Sequence, residues 1–367
     1  MKLTIQELCS AIEAFAPPAY QEGWDNSGLL IGDARREISS ALITLDVTEA
    51  VLDEAIKNGD GLIIAHHPAI FSGLKRLNGR NESERIVMKA IQHNVAIYAA
   101  HTNIDVVKNG VSWKMAEKMG LQNVRTLAPQ TGLLKKLVTF VPVNDAAAVR
   151  EAVFAAGAGH IGNYDSCSFN ARGEGSFRGN AESQPYAGKK ETLHFEEEVR
   201  FETIFPAHLQ ARVLDALLNA HPYEEVAYDV YALDNQHPQV GLGVIGEFEV
   251  ETAADEALQR LKNAFECRLI KHTDIHQPTF KKVALVGGAG SSLLKQAMRA
   301  GADLFVSGDF KYHQFFEAEN KITIADIGHF ESEQFTKELF YEILTNKFSK
   351  FAVRLSEVNT NPVNYLF

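Results

Sequence analysis

Short apolar runs alternate with amphipathic stretches in this chain, and the same order of elements returns late in the sequence. ALITLDV (41–47), GLIIA (61–65) and VAIYAA (95–100) read as strands, with helices predicted over 48–59 and 82–93 between them. KKVALVGG (281–288), ADLFVSG (302–308) and ITIADIG (322–328) repeat the arrangement, with helices predicted over 291–301 and 313–320. Strands that alternate with helices join as parallel neighbours through crossover connections. The expected class is therefore α/β: two related halves forming a layered core of mainly parallel strands. The halves correspond in pattern more than in identity.

A different module interrupts them. KKLVTFVPV is a strand, and residues 144–162 form a helix capped by Asn144 or Asp145. NYDSCSFNARGEGSFRG is strand material around a Gly-rich turn, followed by the strand VRFETIFP, the helix HLQARVLDALLNA and the alternating strand EEVAYDVYAL. The order βαββαβ is that of a ferredoxin-like domain. The expected division is 1–130 for the first half of the core, 131–234 for the insert and 235–367 for the second half.

Composition narrows the possible functions. The chain is 46% hydrophobic, and no apolar run approaches the roughly 20 residues of a membrane-spanning helix. Residues 1–18 read as an amphipathic helix and not as a signal peptide, because Glu7 and Glu13 interrupt the apolar positions Leu3, Ile5, Leu8, Ile12 and Phe15. A cytoplasmic location is expected. Three cysteines, Cys9, Cys167 and Cys267, exclude a disulfide framework and a thiolate zinc site. The formal net charge of −11, with no strong basic cluster, disfavours nucleic acid as a partner.

The candidate chemistry lies where the predicted strands end. VAIYAAHTNID and ITIADIGHFESE both close in a His followed four residues later by a carboxylate: His101/Asp105 and His329/Glu333. GLIIAHHP closes in His66 and His67. A single His-x-x-x-Asp is common, and His-His before Pro is usually a loop feature; three such endings at predicted strand termini together point to a metal centre. Residues four apart share a helix face, so His329 and Glu333 can act side by side. Adjacent histidines point to opposite sides in extended backbone, but at an irregular strand end each could serve a different ion. Two ions about 3.5–4 Å apart generally need a bridging carboxylate. Glu333 is the first choice and Asp105 the second. Imidazole and carboxylate donors suit Zn²⁺, Mn²⁺ or Fe. His101 is either a ligand or an orienting neighbour. Asp309 and His313, at another strand end, could assist proton transfer or cap the next helix.

Two motifs are weaker. VALVGGAGSS sets glycines between a strand and a helix, where backbone N–H groups can hold phosphate, but a tight turn is the simpler explanation. In WDNSGLLIG, Trp24 reads as core, while Asp25 and Asn26 could line the cleft or form an Asx turn.

Taken in order, WDNSGLLIG, AHHP, HTNID, GGAGSS, SGDFKYH and IGHFESE resemble the Nif-three-like dinuclear metal-centre proteins, often labelled GTP cyclohydrolase I type II homologues. GEGSFRG and HPYEEVAYDVY resemble the insert of the longer bacterial members, which is itself similar to the PII and CutA proteins. The resemblance implies two divalent ions, zinc first with manganese or iron as alternatives, held by His66, His67, Asp105, His329 and Glu333. It also implies a toroidal homohexamer. The leading expectation is a metal-dependent hydrolase acting on a nucleotide or other small anionic substrate. The alternatives are a metal scaffold or delivery protein without turnover, and a regulatory interaction protein.

Overall fold

A computed structural model of the chain describes residues 1–366. It divides into two compact units: Met1–Ala128 together with the chain from Gln239 onward, and Pro129–Pro238.

The first unit is built on two mixed sheets. One has five strands in the spatial order Ala352–Leu355, Ser40–Thr44, Leu62–Ala65, Ala96–Ala99 and Gly28–Ile31. The first four run parallel and the last is antiparallel. The helices Glu49–Asn58 and Glu82–Gln92 make the crossovers. Thr48 and Asn81 cap them by accepting from the amides of Val51 and Glu84. The three central strands are completely buried, which is why they read as unbroken apolar runs and not as alternating ones.

The other sheet has six strands in the order Lys271–His272, Thr323–Asp326, Leu304–Gly308, Thr279–Ala289, Gly241–Ala253 and Gln122–Pro129. Thr279–Ala289, Leu304–Gly308 and Thr323–Asp326 are parallel, while Lys271–His272 and Gly241–Ala253 pair antiparallel with their neighbours. Apolar layers cover both faces, one around Phe248, Phe265 and Phe280, the other around Phe305, Leu294 and Ile324.

Each sheet takes an edge strand from the other side of the sequence. Ala352–Leu355 completes the first sheet, and Gln122–Pro129 edges the second. Each sheet thus has a run of parallel strands, with the antiparallel Gly28–Ile31 at one edge of the first and Lys271–His272 and Gly241–Ala253 flanking the parallel strands of the second. Two predicted helices are also tighter than expected. Residues 291–299 begin as a 3-10 turn before the short α-helix Leu294–Arg299. Tyr312–Ala318 is 3-10 throughout and is flanked by Asp309 and Glu319, both at positive φ.

The unit Pro129–Pro238 has the element order strand Leu134–Pro142, helix Ala146–Ala155, strands Ser168–Phe177 and His194–Pro206, helix Gln210–Ala220 and strand Tyr228–Leu233. Its four strands form an antiparallel sheet in the spatial order Tyr228–Leu233, Leu134–Pro142, His194–Pro206, Ser168–Phe177. Both helices pack into one apolar core with Leu137, Val141, Phe201 and Phe205.

Candidate metal centre

The carboxyl ends of the parallel strands of the first unit converge, the usual place for a site in an open α/β sheet. His66 and His67 follow Leu62–Ala65, and both of their amides donate to the Leu45 carbonyl, at 3.1 and 2.9 Å. The regular ladder stops there. The two rings therefore lie 4.8 Å apart instead of on opposite faces. His101 precedes the short helix Thr102–Asp105, and His329 opens the helix His329–Glu333 directly after Gly328, whose φ is +95°.

The side chains meet at Glu333 Oε2. His67 Nε2 and His329 Nε2 each lie 3.1 Å from it, and His66 Nε2 lies 3.6 Å away. His66 Nε2 is 3.7 Å from Asp105 Oδ1, and the Nε2 atoms of His67 and His329 are 3.4 Å apart. Two groups of three donors thus share one carboxylate oxygen. Donors each about 2.1 Å from a common ion stand roughly 3.0–3.4 Å apart in octahedral or tetrahedral geometry, close to these separations. The atoms of His66, His67 and Glu333 form a group that could hold a metal ion.

The other nitrogen of every ring is already engaged. His66 Nδ1 donates to the Ala100 carbonyl at 3.0 Å. His67, His101 and His329 use Nδ1 toward Asp46, Asp25 and Asp309, each at 2.7 Å. This fixes the tautomer that leaves Nε2 available, as in metal-ligating histidines. His66 Nε2, Asp105 Oδ1 and Glu333 Oε2 are buried without a hydrogen-bond partner. The ring nitrogens approach Glu333 Oε2 closely but without hydrogen-bond alignment. Buried polar atoms are rarely left so, and these donors fit a cation.

The electrostatics follow from the crowding. Burial works to raise the Glu333 carboxyl, but His66, His329 and His67 outweigh it and hold the group well below the usual range. Burial lifts Asp105 to about 7, against the pull of His66 and with added repulsion from Glu333. Burial would lower His67, but its contacts with Asp46 and Glu333 raise it to about 10. Glu333 is the main cause of the rise of His329 to about 9, reinforced by Asp309 and opposed by burial.

Several expected roles change. Trp24 is exposed and not in the core, because the loop that holds it packs its polar residues inward. Asp25 Oδ1 accepts from His101, and Oδ2 accepts from the Thr102 amide and hydroxyl at 3.0 and 2.5 Å. Asp309 orients His329 and does not cap a helix. His313 is exposed, its ring against Tyr312 and Phe316. The amides of Gly287, Gly288 and Gly290 donate to Ser112, Ser332 and Ser307 at 3.2, 2.9 and 2.8 Å, so they are not free for phosphate. Gly288 is needed for room: at φ +61°, a Cβ would lie 2.3 Å from Glu333 Oε1.

Asp46 and Thr360 gave no sequence signal. Thr360 Oγ1 donates to Asp46 Oδ2 at 2.5 Å, across 314 residues, while Asp46 Oδ1 holds His67. Beside the cluster is a cavity of about 490 Å³, lined by His67, His329, Asp309, Lys271, Leu45 and the terminal segment around Val363. A larger cavity, about 940 Å³, belongs to the middle unit and contains none of these residues.

Comparison with known proteins agrees with this architecture. The model of the family Duf34/NIF3 (NGG1p interacting factor 3) matches residues 3–362. A protein of Halalkalibacterium halodurans named GTP cyclohydrolase 1 type 2 homolog is 39% identical over 366 residues, covering 98% of each chain. One of Bacillus subtilis with the same name is 38% identical over 367 residues, again covering 98% of each. Among solved structures, a Bacillus cereus protein related to NIF3 superposes with a TM-score of 0.85 at 39% identity, covering 99% of both chains. A Staphylococcus aureus protein, SA1388, gives 0.78 at 29% identity, also covering 99% of both. With a family match that spans both sheets and every residue of the cluster, the chain belongs to the Duf34/NIF3 family.

Proposed function

We propose that this protein is a dinuclear metal-dependent hydrolase acting on a nucleotide or another small anionic substrate. The observation that carries the reading is the set of three imidazoles gathered around a buried carboxylate with unpartnered donor atoms, with His101 beside two of them and all four rings tied at Nδ1. His66 and Asp105 would hold one ion and His67 and His329 the other, with Glu333 common to both and His101 beside them. Zinc is the first choice for this donor set, with manganese or iron as alternatives. Divalent ions bound there would supply Lewis acidity and a water of lowered pKa.

The chain's own groups do the rest. Asp46, Asp309 and the Ala100 carbonyl hold His67, His329 and His66 in the required tautomer. Asp25 fixes His101 within 5.4 Å of the His66 and His67 rings, where its Nε2 could take up a proton. The cavity of about 490 Å³ opening on His67 and His329 is large enough for a small molecule. The name of the relatives supports GTP as the first compound to test. We also propose that Pro129–Pro238 is an inserted ferredoxin-like domain of the PII and CutA kind, and that the protein is cytoplasmic and assembles as a toroidal homohexamer. The order βαββαβ supports the first of these.

The test is a screen of protein loaded in turn with Zn²⁺, Mn²⁺ and Fe²⁺ against nucleotides and simple phosphoesters, with Glu333→Ala as control and metal content measured in parallel. Turnover above that control is expected. Full metal loading with no turnover would favour a metal scaffold or delivery protein. Unchanged metal content in Glu333→Ala would refute the shared-ligand assignment.

A further inference from the structure

Two large aromatic side chains stand in solvent at the edge of the cluster. Trp24 is 59% exposed and Phe71 56%. Their ring centroids are 5.7 Å apart, and the planes are tilted by 41°. Each ring meets His101 nearly edge-on, at 6.0 and 6.2 Å. His101 in turn lies 5.4 Å from the rings of both His66 and His67. The pair therefore sits one imidazole away from the convergent donors.

The segments carrying the two rings are braced. Asp25, next to Trp24, accepts from His101 and Thr102. The Asn26 side chain donates to the Ile70 carbonyl at 2.6 Å, tying this segment to the residue before Phe71. Ser27 Oγ hydrogen-bonds Asn103 Oδ1 at 2.9 Å. The rings are thus displayed on backbone fixed to the cluster, and with more than half of each surface exposed they add little to the core. An exposed apolar patch beside a set of convergent polar groups marks a binding surface. Two ring faces suit a planar unsaturated group, and they offer nothing to a bare phosphate.

We propose that Trp24 and Phe71 form a stacking platform for the planar ring of the substrate, a nucleobase or similar heterocycle, whose anionic part reaches the cluster past His101. The role of the anionic part rests on the hydrolase reading; the stacking site does not. Stacking on an aromatic side chain is worth roughly 5- to 150-fold in affinity per base.

The test uses full-length, metal-loaded protein. The chain has two tryptophans, so Trp113→Phe leaves Trp24 as the only tryptophan fluorophore. The probes are the four common ribonucleoside triphosphates and inorganic tripolyphosphate, which carries the charge without a ring. At least one nucleotide should quench Trp24 and bind about tenfold or more tighter than tripolyphosphate. Trp24→Ala, in the chain with Trp113 restored, and Phe71→Ala should bring its affinity, measured calorimetrically, down toward that of tripolyphosphate. Elemental analysis should find their metal content unchanged, and Trp24→Phe should recover most of the affinity. Should Trp24→Ala fail to fold, Phe71→Ala and Trp24→Phe carry the comparison. The proposal is overturned if no base improves on tripolyphosphate, or if the variants weaken both probes equally. It is also overturned if they change only the oligomeric mass, which would make the pair a contact between copies. Nucleotide binding without turnover would remove the hydrolase reading and leave the platform standing. Turnover indifferent to both rings would do the reverse.

Discussion

Replacing Gly288 by alanine tests the packing of the cluster at one atom. Gly288 has φ +61°, and a Cβ there would lie 2.3 Å from Glu333 Oε1 and 3.2 Å from His329 Cε1. The backbone cannot easily retreat, because its amide donates to Ser332 at 2.9 Å and its carbonyl accepts from Ser307 at 2.8 Å. Two costs arise. Holding an L-residue in left-handed conformation costs about 1–2 kcal/mol. Forcing a methyl group into filled space costs about 1–3 kcal/mol more. Gly301 separates the two: its φ is +73°, but a Cβ added there would meet no atom within 4 Å. Gly301→Ala should therefore lose only the first amount, and Gly288→Ala roughly 2–5 kcal/mol in all.

The same methyl group must push Glu333 by about 1 Å to reach ordinary contact distance, whereas metal–ligand distances tolerate about 0.2 Å. Metal affinity in Gly288→Ala should fall at least about tenfold. Urea unfolding of the metal-free variants and metal content after dialysis against a competing chelator measure the two effects. If Gly288→Ala matches Gly301→Ala in stability and keeps its full metal content, the placement of Glu333 against Gly288 is wrong.

Metal uptake should be strongly pH-dependent. In the metal-free protein His67 and His329 keep their protons up to about 10 and 9, and both must lose them to ligate. Affinity should therefore rise about 100-fold per pH unit between pH 7 and 9, and more steeply below about 7 where Asp105 also binds a proton; a flat profile in a competition titration would contradict this. Thr360→Val should free Asp46 and weaken metal binding about tenfold or more, whereas Thr360→Ser keeps the hydroxyl and should bind as the parent does. Joining Ala128, near the end of Gln122–Pro129, through a short Gly/Ser linker to Gln239, two residues before the neighbouring strand Gly241–Ala253, should leave a folded core that still takes up metal. A soluble core that binds none would count against the independence of the two units.

The central strands were legible because a buried parallel strand must be apolar along its whole length and a crossover helix must be amphipathic. Edge strands carry no such constraint. Nothing local in Ala352–Leu355 says that it pairs with Ser40–Thr44 and not with the sheet nearer in sequence; the preceding helix, Thr336–Lys347, packs on the first helix, Ile5–Phe15, and against both of these strands, a long-range arrangement with no local signature. The histidines were legible because strand ends bring side chains together by topology. Their partners were not. Asp46 and Thr360 come together only in the folded chain, and no spacing predicts a contact between them. Trp24 misled because hydrophobicity predicts burial on average, while its loop turns Asp25, Asn26 and Ser27 toward hydrogen-bond partners and leaves the indole outside.

The cluster makes little sense as a purely structural device. A buried polar atom without a partner costs about 1–3 kcal/mol, so His66 Nε2, Asp105 Oδ1 and Glu333 Oε2 together cost roughly 3–9 kcal/mol. The net stability of a typical domain is only about 5–15 kcal/mol. Protons offset part of that cost in the metal-free chain, since His67 and His329 are held charged beside the ionised Glu333. They cannot offset all of it, because they leave the three atoms without aligned partners. A cation that binds only the folded state would remove the penalty and add its own binding free energy to stability. Apolar side chains of similar volume would fill the same space without the penalty. The Nδ1 anchors at Asp46 and Asp309 lie in separate stretches of chain and orient imidazoles toward one point, Glu333 Oε2, while Asp25 in a third stretch holds His101 beside them. That expenditure of burial and polar contacts is intelligible if the point is where a cation binds.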